Sequence, residues 1–215
     1  MAENANRIAA VVLAAGSSQR MGVVNKLHLP IGGIPLLRRS VQTLLAANVD
    51  DIVVVLGHER ETTRALIDDL PVAMAYNQAY QSGQMTSVHC GLGALQQNYD
   101  AIVIALGDQP ALRSVDIDTL IEAFRDRSGG DVVIPTYRGE RGNPIVISAN
   151  CRADILAGTR NLGCRRFIDK NPELVYKVEM PDPAVVIDLD TQQDYEKFCA
   201  SSSFGDFNNL TQQVS

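Results

Sequence analysis

The chain has no tryptophan, only three histidines and four cysteines in 215 residues, and its aromatic content is 5%. Cys90, Cys151, Cys164 and Cys199 are scattered without a CxxC pair, so the ligand spacing of a zinc site is absent. All four are read as reduced thiols. An excess of positive charge is also missing: 19 Lys+Arg against 25 Asp+Glu leave a formal charge of -6. That excludes the basic face which general nucleic-acid or anionic-membrane binding needs. No apolar run approaches the roughly 18 residues of a membrane span. Residues 1–7 are polar, without the apolar stretch of a signal peptide. The expectation is a cytoplasmic protein with neither nucleic acid nor membrane as partner, in which a polyanionic ligand must be met by local cations.

What is present is a core's worth of apolar residues, 46% of the chain, enough for one domain. Short apolar runs occupy 8–14, 51–56, 72–76, 101–106 and 131–135, each long enough for a buried strand. Between them the period lengthens. Leu37, Val41, Leu44 and Leu45 share a helical face, as do Met85, Val88, Leu92 and Leu95, and Ile117, Leu120, Ile121 and Phe124. Alternating strand and helix specify an α/β domain with a single doubly wound, mostly parallel sheet, because parallel neighbours need crossover connections. Beyond residue 135 strands are expected at 143–148, 174–179 and 184–189, with a helical stretch over 150–169 and a last helix ending near Phe198. Residues 1–200 are read as the domain, and the polar segment 201–215 as a frayed tail.

The first run leads into Leu13-Ala14-Ala15-Gly16-Ser17-Ser18-Gln19-Arg20-Met21-Gly22, with Lys26 shortly after. Ligands of open α/β sheets collect at such carboxyl ends. Small residues at 14–16 let the backbone approach a ligand, successive N–H groups can cradle phosphate oxygens, and Arg20 and Lys26 add cations. The glycines fit neither GxxxxGK[ST] nor GxGxxG, so no P-loop or dinucleotide fingerprint is present. On these features alone a plain turn with solvated cations is an equal reading. His28, His58 and His89 lack partners at metal spacing and are read as surface or packing residues. The arginines of 138–141 and 165–166 are read as solvated.

The stretch LAAGSSQRMG followed by Lys26 resembles the signature of the sugar-nucleotide-type nucleotidyltransferases, and within them the molybdenum cofactor cytidylyltransferases. The resemblance continues in family order through Asn77 with Gly83, Met85, Ser87, Gly91 and Leu92, then Gly107-Asp108-Gln109-Pro110, Gly142-Asn143-Pro144 and Asp188-Leu189-Asp190-Thr191. Two departures stand out. Three residues separate Gly22 from Lys26, a spacing commoner in guanylyl relatives, and Asn143 stands where relatives often carry histidine.

The resemblance implies a Rossmann-like nucleotidyltransferase fold and transfer of CMP from CTP to the phosphate of a molybdopterin-type cofactor, with release of pyrophosphate. It also implies a transient contact with the molybdoenzyme that receives the product. Catalytic roles fall to Lys26, Arg20 and Asp108, and nucleotide binding to Leu13, Ala14, Ala15, Gly16, Ser17, Arg20, Lys26, Asn77, Gly83 and Ser87. Acceptor binding falls to Gly142, Asn143 and Pro144. Asp108 and Asp190 would hold Mg²⁺, which takes one or two protein carboxylates and completes its shell with water and phosphate oxygens. A phosphate monoester is already an anion near neutral pH, so no catalytic histidine is required. Ala15, where guanylyl relatives carry glycine, is expected to narrow the base pocket toward a pyrimidine. Guanylyl transfer, another small phosphate acceptor, and a non-catalytic nucleotide-binding delivery protein are the alternatives.

Overall fold

The computed structural model describes residues 7–18, 21, 24–160 and 165–201. Arg20, Gly22, Cys164 and nearly all of the expected tail lie outside them. Strand β1 (Ile8–Ala14) is followed by a small antiparallel hairpin, β2 (Pro30–Ile31) and β3 (Ile34–Pro35), which feeds helix α1 (Leu36–Leu45). Next come β4 (Asp51–Leu56), α2 (Arg60–Arg64), β5 (Ala73–Tyr76), α3 (Gln84–Ala94), β6 (Ala101–Leu106) and α4 (Ser114–Asp126). The remainder runs β7 (Val132–Tyr137), β8 (Glu140–Arg141), β9 (Ile145–Ser148), α5 (Arg152–Leu156), α6 (Arg165–Lys170), β10 (Val175–Glu179) and α7 (Gln192–Ala200).

Seven strands form one sheet in the order β10-β7-β9-β6-β1-β4-β5, and β8 pairs with β7 at its side. Only β9, and the short β8, run antiparallel to their neighbours. The chain leaves β1 for β4 and β5 on one side, then returns to set β6 on the other. That reversal opens a crevice beyond the carboxyl ends of β1 and β6, where doubly wound sheets bind ligands. The expected α/β architecture is therefore present.

Period-two alternation sends neighbouring residues of β1 to opposite cores. Ala10 and Val12 pack with Leu37, Val41, Ile117 and Leu120 under α1 and α4. Ala9 and Val11 pack with Val88, Leu92 and Ile155 under α3 and α5. Helix α3 lies so close to the sheet that a β-carbon on Gly91 would stand 2.2 Å from Val11 Cγ1.

Three expectations need correction. Residues 184–189 do not form a strand: Pro183–Val186 is a 3₁₀ turn, started by the Asp182 carboxylate accepting from the Ala184 N–H at 3.1 Å. Pro183 has no N–H for a ladder, and the Val185 carbonyl is taken by the Asn143 N–H (2.9 Å) and the Gln109 side chain (3.1 Å). The helical stretch over 150–169 is divided between α5 and α6, with Gly158 at φ +73° after α5. The strand expected from residue 143 begins at Ile145, after a cis Asn143–Pro144 peptide. The unexpected β2, β3 and α2 are too short to show a period. Cys90, Cys151 and Cys199 are free thiols.

Candidate active site

The carboxyl end of β1 opens onto a cavity of about 1010 Å³ whose walls include Leu13, Ala14, Ala15, Gly16, Ser17 and Ser18. The Leu13 carbonyl accepts from the Gly107 N–H at 3.1 Å, which ties this loop to the segment carrying Asp108. The Ala15 carbonyl accepts from the His58 N–H at 3.2 Å. Gly57 is pressed against the same residue: a β-carbon there would meet Ala15 Cβ and its carbonyl oxygen at 2.7 Å. Ala15 is only 4% exposed and belongs to the core packed under α3. The expected steric role of its methyl toward the base is therefore weak, since that methyl is largely used in packing. Gly16 differs, because a β-carbon there would have nothing within 4 Å. Neither packing nor a positive φ calls for glycine at 16, and the freedom it offers is toward whatever fills the cavity.

Lys26 is placed by two polar side chains. Ser18 Oγ accepts from the Lys26 N–H at 3.2 Å, and Asn25 Oδ1 accepts from the Leu27 N–H at 3.1 Å to start the short 3₁₀ turn Lys26–His28. Asn25 is itself buried, and its amide donates to Glu59 Oε2 at 3.1 Å. The ammonium then lies between two carboxylates, ion-paired to Asp108 Oδ2 and donating to Asp190 Oδ1 at 3.1 Å. The side chains of Lys26 and Asp108 are each 15% exposed and that of Asp190 is 29%. Burial pulls the Lys26 ammonium toward losing its proton, but Asp108 and Asp190 outweigh that and hold its pKa above the ordinary lysine value. Asp188 stands on the same wall. The residue as a whole is exposed, but partial burial of its carboxyl, then the charges of Asp108 and Asp190, push it above the usual carboxylate range, with Lys26 opposing.

The donors fit a hard divalent cation. Asp108 Oδ1 is buried without a hydrogen-bond partner, and Asp190 lies across the same ammonium. Among the described residues no group of three or more His, Cys, Asp or Glu is arranged to hold a metal. Two carboxylates beside a roomy cavity leave most of an ion's shell to water and phosphate, as Mg²⁺ prefers.

The other expected residues divide by position. Ser87 lines the main cavity, whereas Asn77 and Gly83 are not on its lining. Asn77 is 5% exposed, and its amide donates to Thr86 Oγ1 (2.8 Å) and Ser87 Oγ (2.9 Å) while its Oδ1 accepts from the Ala79 N–H (2.9 Å). It holds Ser87 in place from behind. Gly83, at φ +110°, turns the chain into α3. Gly142 and Asn143 line a second cavity of about 190 Å³ that shares Leu13, Gln84 and Leu106 with the first, and Pro144 does not line it. Arg141, expected to be solvated, also lines this smaller cavity. Gly142 has a packing reason as well, since a β-carbon would meet the Val185 carbonyl at 2.4 Å. Arg20 lies outside the described residues.

Sequence reasoning missed the parts played by Asp188, Gln109, Asn25 and His58. Asp188 and Gln109 fell within quoted motifs, which was their only signal. His58, read as a surface or packing residue, lines the main cavity beside Tyr80, their ring centroids 6.1 Å apart.

Comparison with known proteins bears on the family and the fold. A nicotine blue oxidoreductase from Paenarthrobacter nicotinovorans is 28% identical over 192 residues, covering 86% of this chain and 92% of that protein. The structure of Rv0371c from Mycobacterium tuberculosis superposes with a TM-score of 0.80 at 23% identity, covering 91% of this chain and 98% of that one. Rv0371c has also been solved in complex with manganese. A nucleotidyl transferase from Methanothermobacter superposes with a TM-score of 0.75 at 27% identity, covering 89% and 95%. Residues 10–175 match the MobA-like NTP transferase domain, and the chain belongs to that family.

Proposed function

We propose that the protein is a cytidylyltransferase that moves CMP from CTP to the phosphate of a molybdopterin-type cofactor. The observation that carries the transferase reading is the placement of Lys26 between Asp108 and Asp190, with a buried Asp108 oxygen left unpartnered, at the crevice beyond β1 and β6. An acceptor phosphate oxygen attacks the α-phosphorus, the bond from that phosphorus to the bridging oxygen breaks, and pyrophosphate leaves. The nucleophile is already anionic, so the protein has to align the two ends and neutralise charge. In this reading N–H groups of the loop at 14–18, which lines the cavity, would cradle the phosphates, and Lys26 would meet developing charge on the phosphoryl oxygens. Asp108 and Asp190 would hold a divalent cation, Mg²⁺ in this reading, which supplies further neutralisation when bound.

The acceptor lies toward the smaller cavity, where Gly142 and Asn143 form the wall and Arg141 offers a cation. Choice of cytosine rests on the resemblance of Gly107-Asp108-Gln109-Pro110 and Asp188-Leu189-Asp190-Thr191 to the cytidylyl members, not on the Ala15 methyl. Residues 1–200 act as one catalytic domain in the cytoplasm and pass product to a molybdoenzyme. Among the described residues no helix is long and apolar enough to cross a membrane.

The deciding experiment incubates the protein with each of the four NTPs, Mg²⁺ and molybdenum cofactor, measuring pyrophosphate and identifying any dinucleotide by mass. A cytosine dinucleotide is expected. A guanine product would replace the cytidylyl assignment and keep nucleotidyl transfer. The relative named as an oxidoreductase supplies the second reading. Turnover of none of the NTPs, together with a change in the redox state of nicotine blue when a redox partner is supplied, would favour it.

A further inference from the structure

Three carboxyl groups, Asp108, Asp188 and Asp190, share one wall of the main cavity, and among its described lining residues Lys26 is the one lysine or arginine. Its ammonium is committed to Asp108 Oδ2 and Asp190 Oδ1. Those are the oxygens a divalent cation would use. An ammonium and a metal ion cannot both sit between the same pair at bonding distance, and an ammonium held there is not free to grip a phosphate. We propose that Lys26 is the resident counter-ion of the Asp108–Asp190 pair, and that a divalent cation enters by displacing it and so releases the ammonium toward the phosphates.

The local geometry allows this exchange without moving the loop. The Lys26 backbone N–H stays anchored on Ser18 Oγ and the next turn on Asn25, while the polar contacts of the side chain are made by the ammonium at the end of a four-carbon stem. Asp108 Oδ1 is buried without a hydrogen-bond partner, so Lys26 compensates that carboxylate through its other oxygen alone. The displacement is favoured by charge, since a divalent ion compensates three carboxyl groups better than one ammonium does. The phosphate grip is then set only when metal is loaded.

The inference rests on the metal reading of Asp108 and Asp190 and not on the identity of base or acceptor. It is tested with Mn²⁺ alone, titrated into the full chain without nucleotide and followed by electron paramagnetic resonance. If the released state is populated one-tenth of the time or less, Lys26→Met should bind Mn²⁺ at least about tenfold more tightly than the parent. Asp108→Asn should bind it more weakly. Equal or weaker binding by folded Lys26→Met overturns the proposal, as does absence of Mn²⁺ binding in every variant.

A second measurement needs no variant. Acylation of Lys26 in the parent, followed by peptide mass, should be slow without metal and accelerate at least about tenfold at saturating Mg²⁺, by the same population argument. An unchanged rate overturns the exchange. Because neither measurement involves nucleotide, failure of CMP transfer with successful exchange would count against the transferase reading alone. Normal turnover without exchange would count against this proposal alone.

Discussion

The side-chain amide of Gln109 donates to the Val185 carbonyl at 3.1 Å across 76 residues of sequence, and to the Asn143 carbonyl at 3.2 Å. One side chain, 3% exposed, thus joins the loop after β6, the turn before β9 and the 3₁₀ turn that leads to Asp188 and Asp190. The Leu189 N–H donates to the Asp108 carbonyl at 3.2 Å and closes the seam. The two carboxylates flanking Lys26 are therefore registered by backbone groups as well as by the lysine.

Gln109→Ala should destabilise the fold by about 1–3 kcal/mol, because the Asn143 carbonyl loses this donor and the Val185 carbonyl keeps only the Asn143 N–H. Gln109→Glu should be no better, since an ionised carboxylate has no proton for either carbonyl. Urea unfolding gives the stability, and Mn²⁺ titration should show a weaker site in both variants as Asp190 loses its register to Asp108. Parent-like metal affinity in a destabilised Gln109→Ala would show that the seam serves stability only.

Gly57 and Gly16 should respond oppositely to alanine. At Gly57 the new carbon meets Ala15 Cβ and its carbonyl oxygen at 2.7 Å, so the first loop must give way. Overpacking of this kind costs about 1–3 kcal/mol, and the loop it displaces forms the cavity wall. Gly16→Ala meets nothing within 4 Å, so stability should hold or rise by about 0.4–1 kcal/mol through the unfolded chain. Its methyl should nonetheless weaken nucleotide binding, measured by calorimetry. Unchanged affinity for every NTP would remove the 14–17 loop from the phosphate site.

Strands β1, β4 and β6 were legible residue for residue, because burial on both faces leaves unbroken apolar runs. The cores under α3 and α4 were legible from helical spacing. The run at 184–189 misled for the same reason: Ala184, Val185 and Leu189 are buried, but Pro183 and the Gln109 contact take its backbone out of any ladder. The β2–β3 hairpin had a signal in Gly32-Gly33, which sit at φ +61° and +84° as a two-residue turn requires. In the site, Lys26, Asp108 and Asp190 could be named from motifs. That Asn77 faces Ser87 rather than the cavity, or that Asp188 joins the acidic wall, depends on contacts between distant segments that spacing does not encode.

Cys151 is 2% exposed, and its thiol is pushed up to about 11, by burial first and then by Asp131, with Arg160 opposing. The thiolate is the reactive form. Alkylation near neutral pH should therefore modify exposed Cys199 quickly and leave Cys151 intact. The unfolded chain loses this proton near the ordinary value of 9.0 and the folded chain near 11, so the folded state holds more protons in between. Stability should fall as pH rises through that window. Tyr99, pushed to about 12 by burial and then Asp51, adds the same sign of slope above its ordinary value of 10.0. A flat melting temperature across this range would rule out both contributions.

Asp188 is the position where stability and metal binding should conflict. Its carboxyl is raised above the ordinary value of 3.8, first by burial and then by Asp108 and Asp190. The folded chain therefore keeps a proton there that the unfolded chain has lost, and stability declines as pH rises from 3.8 through the folded value, with the deficit persisting above it. Asparagine carries no charge to penalise. In chelator-treated protein, Asp188→Asn should melt above the parent at pH 7, and the difference should vanish as pH falls toward 3.8. A divalent cation changes the balance, because it compensates the carboxylate that burial disfavours. The parent should then gain more melting temperature than the variant on adding Mn²⁺, and should bind it more tightly. Equal melting temperatures at pH 7, with and without Mn²⁺, would show that Asp188 lies on the wall without sharing the field of Asp108 and Asp190.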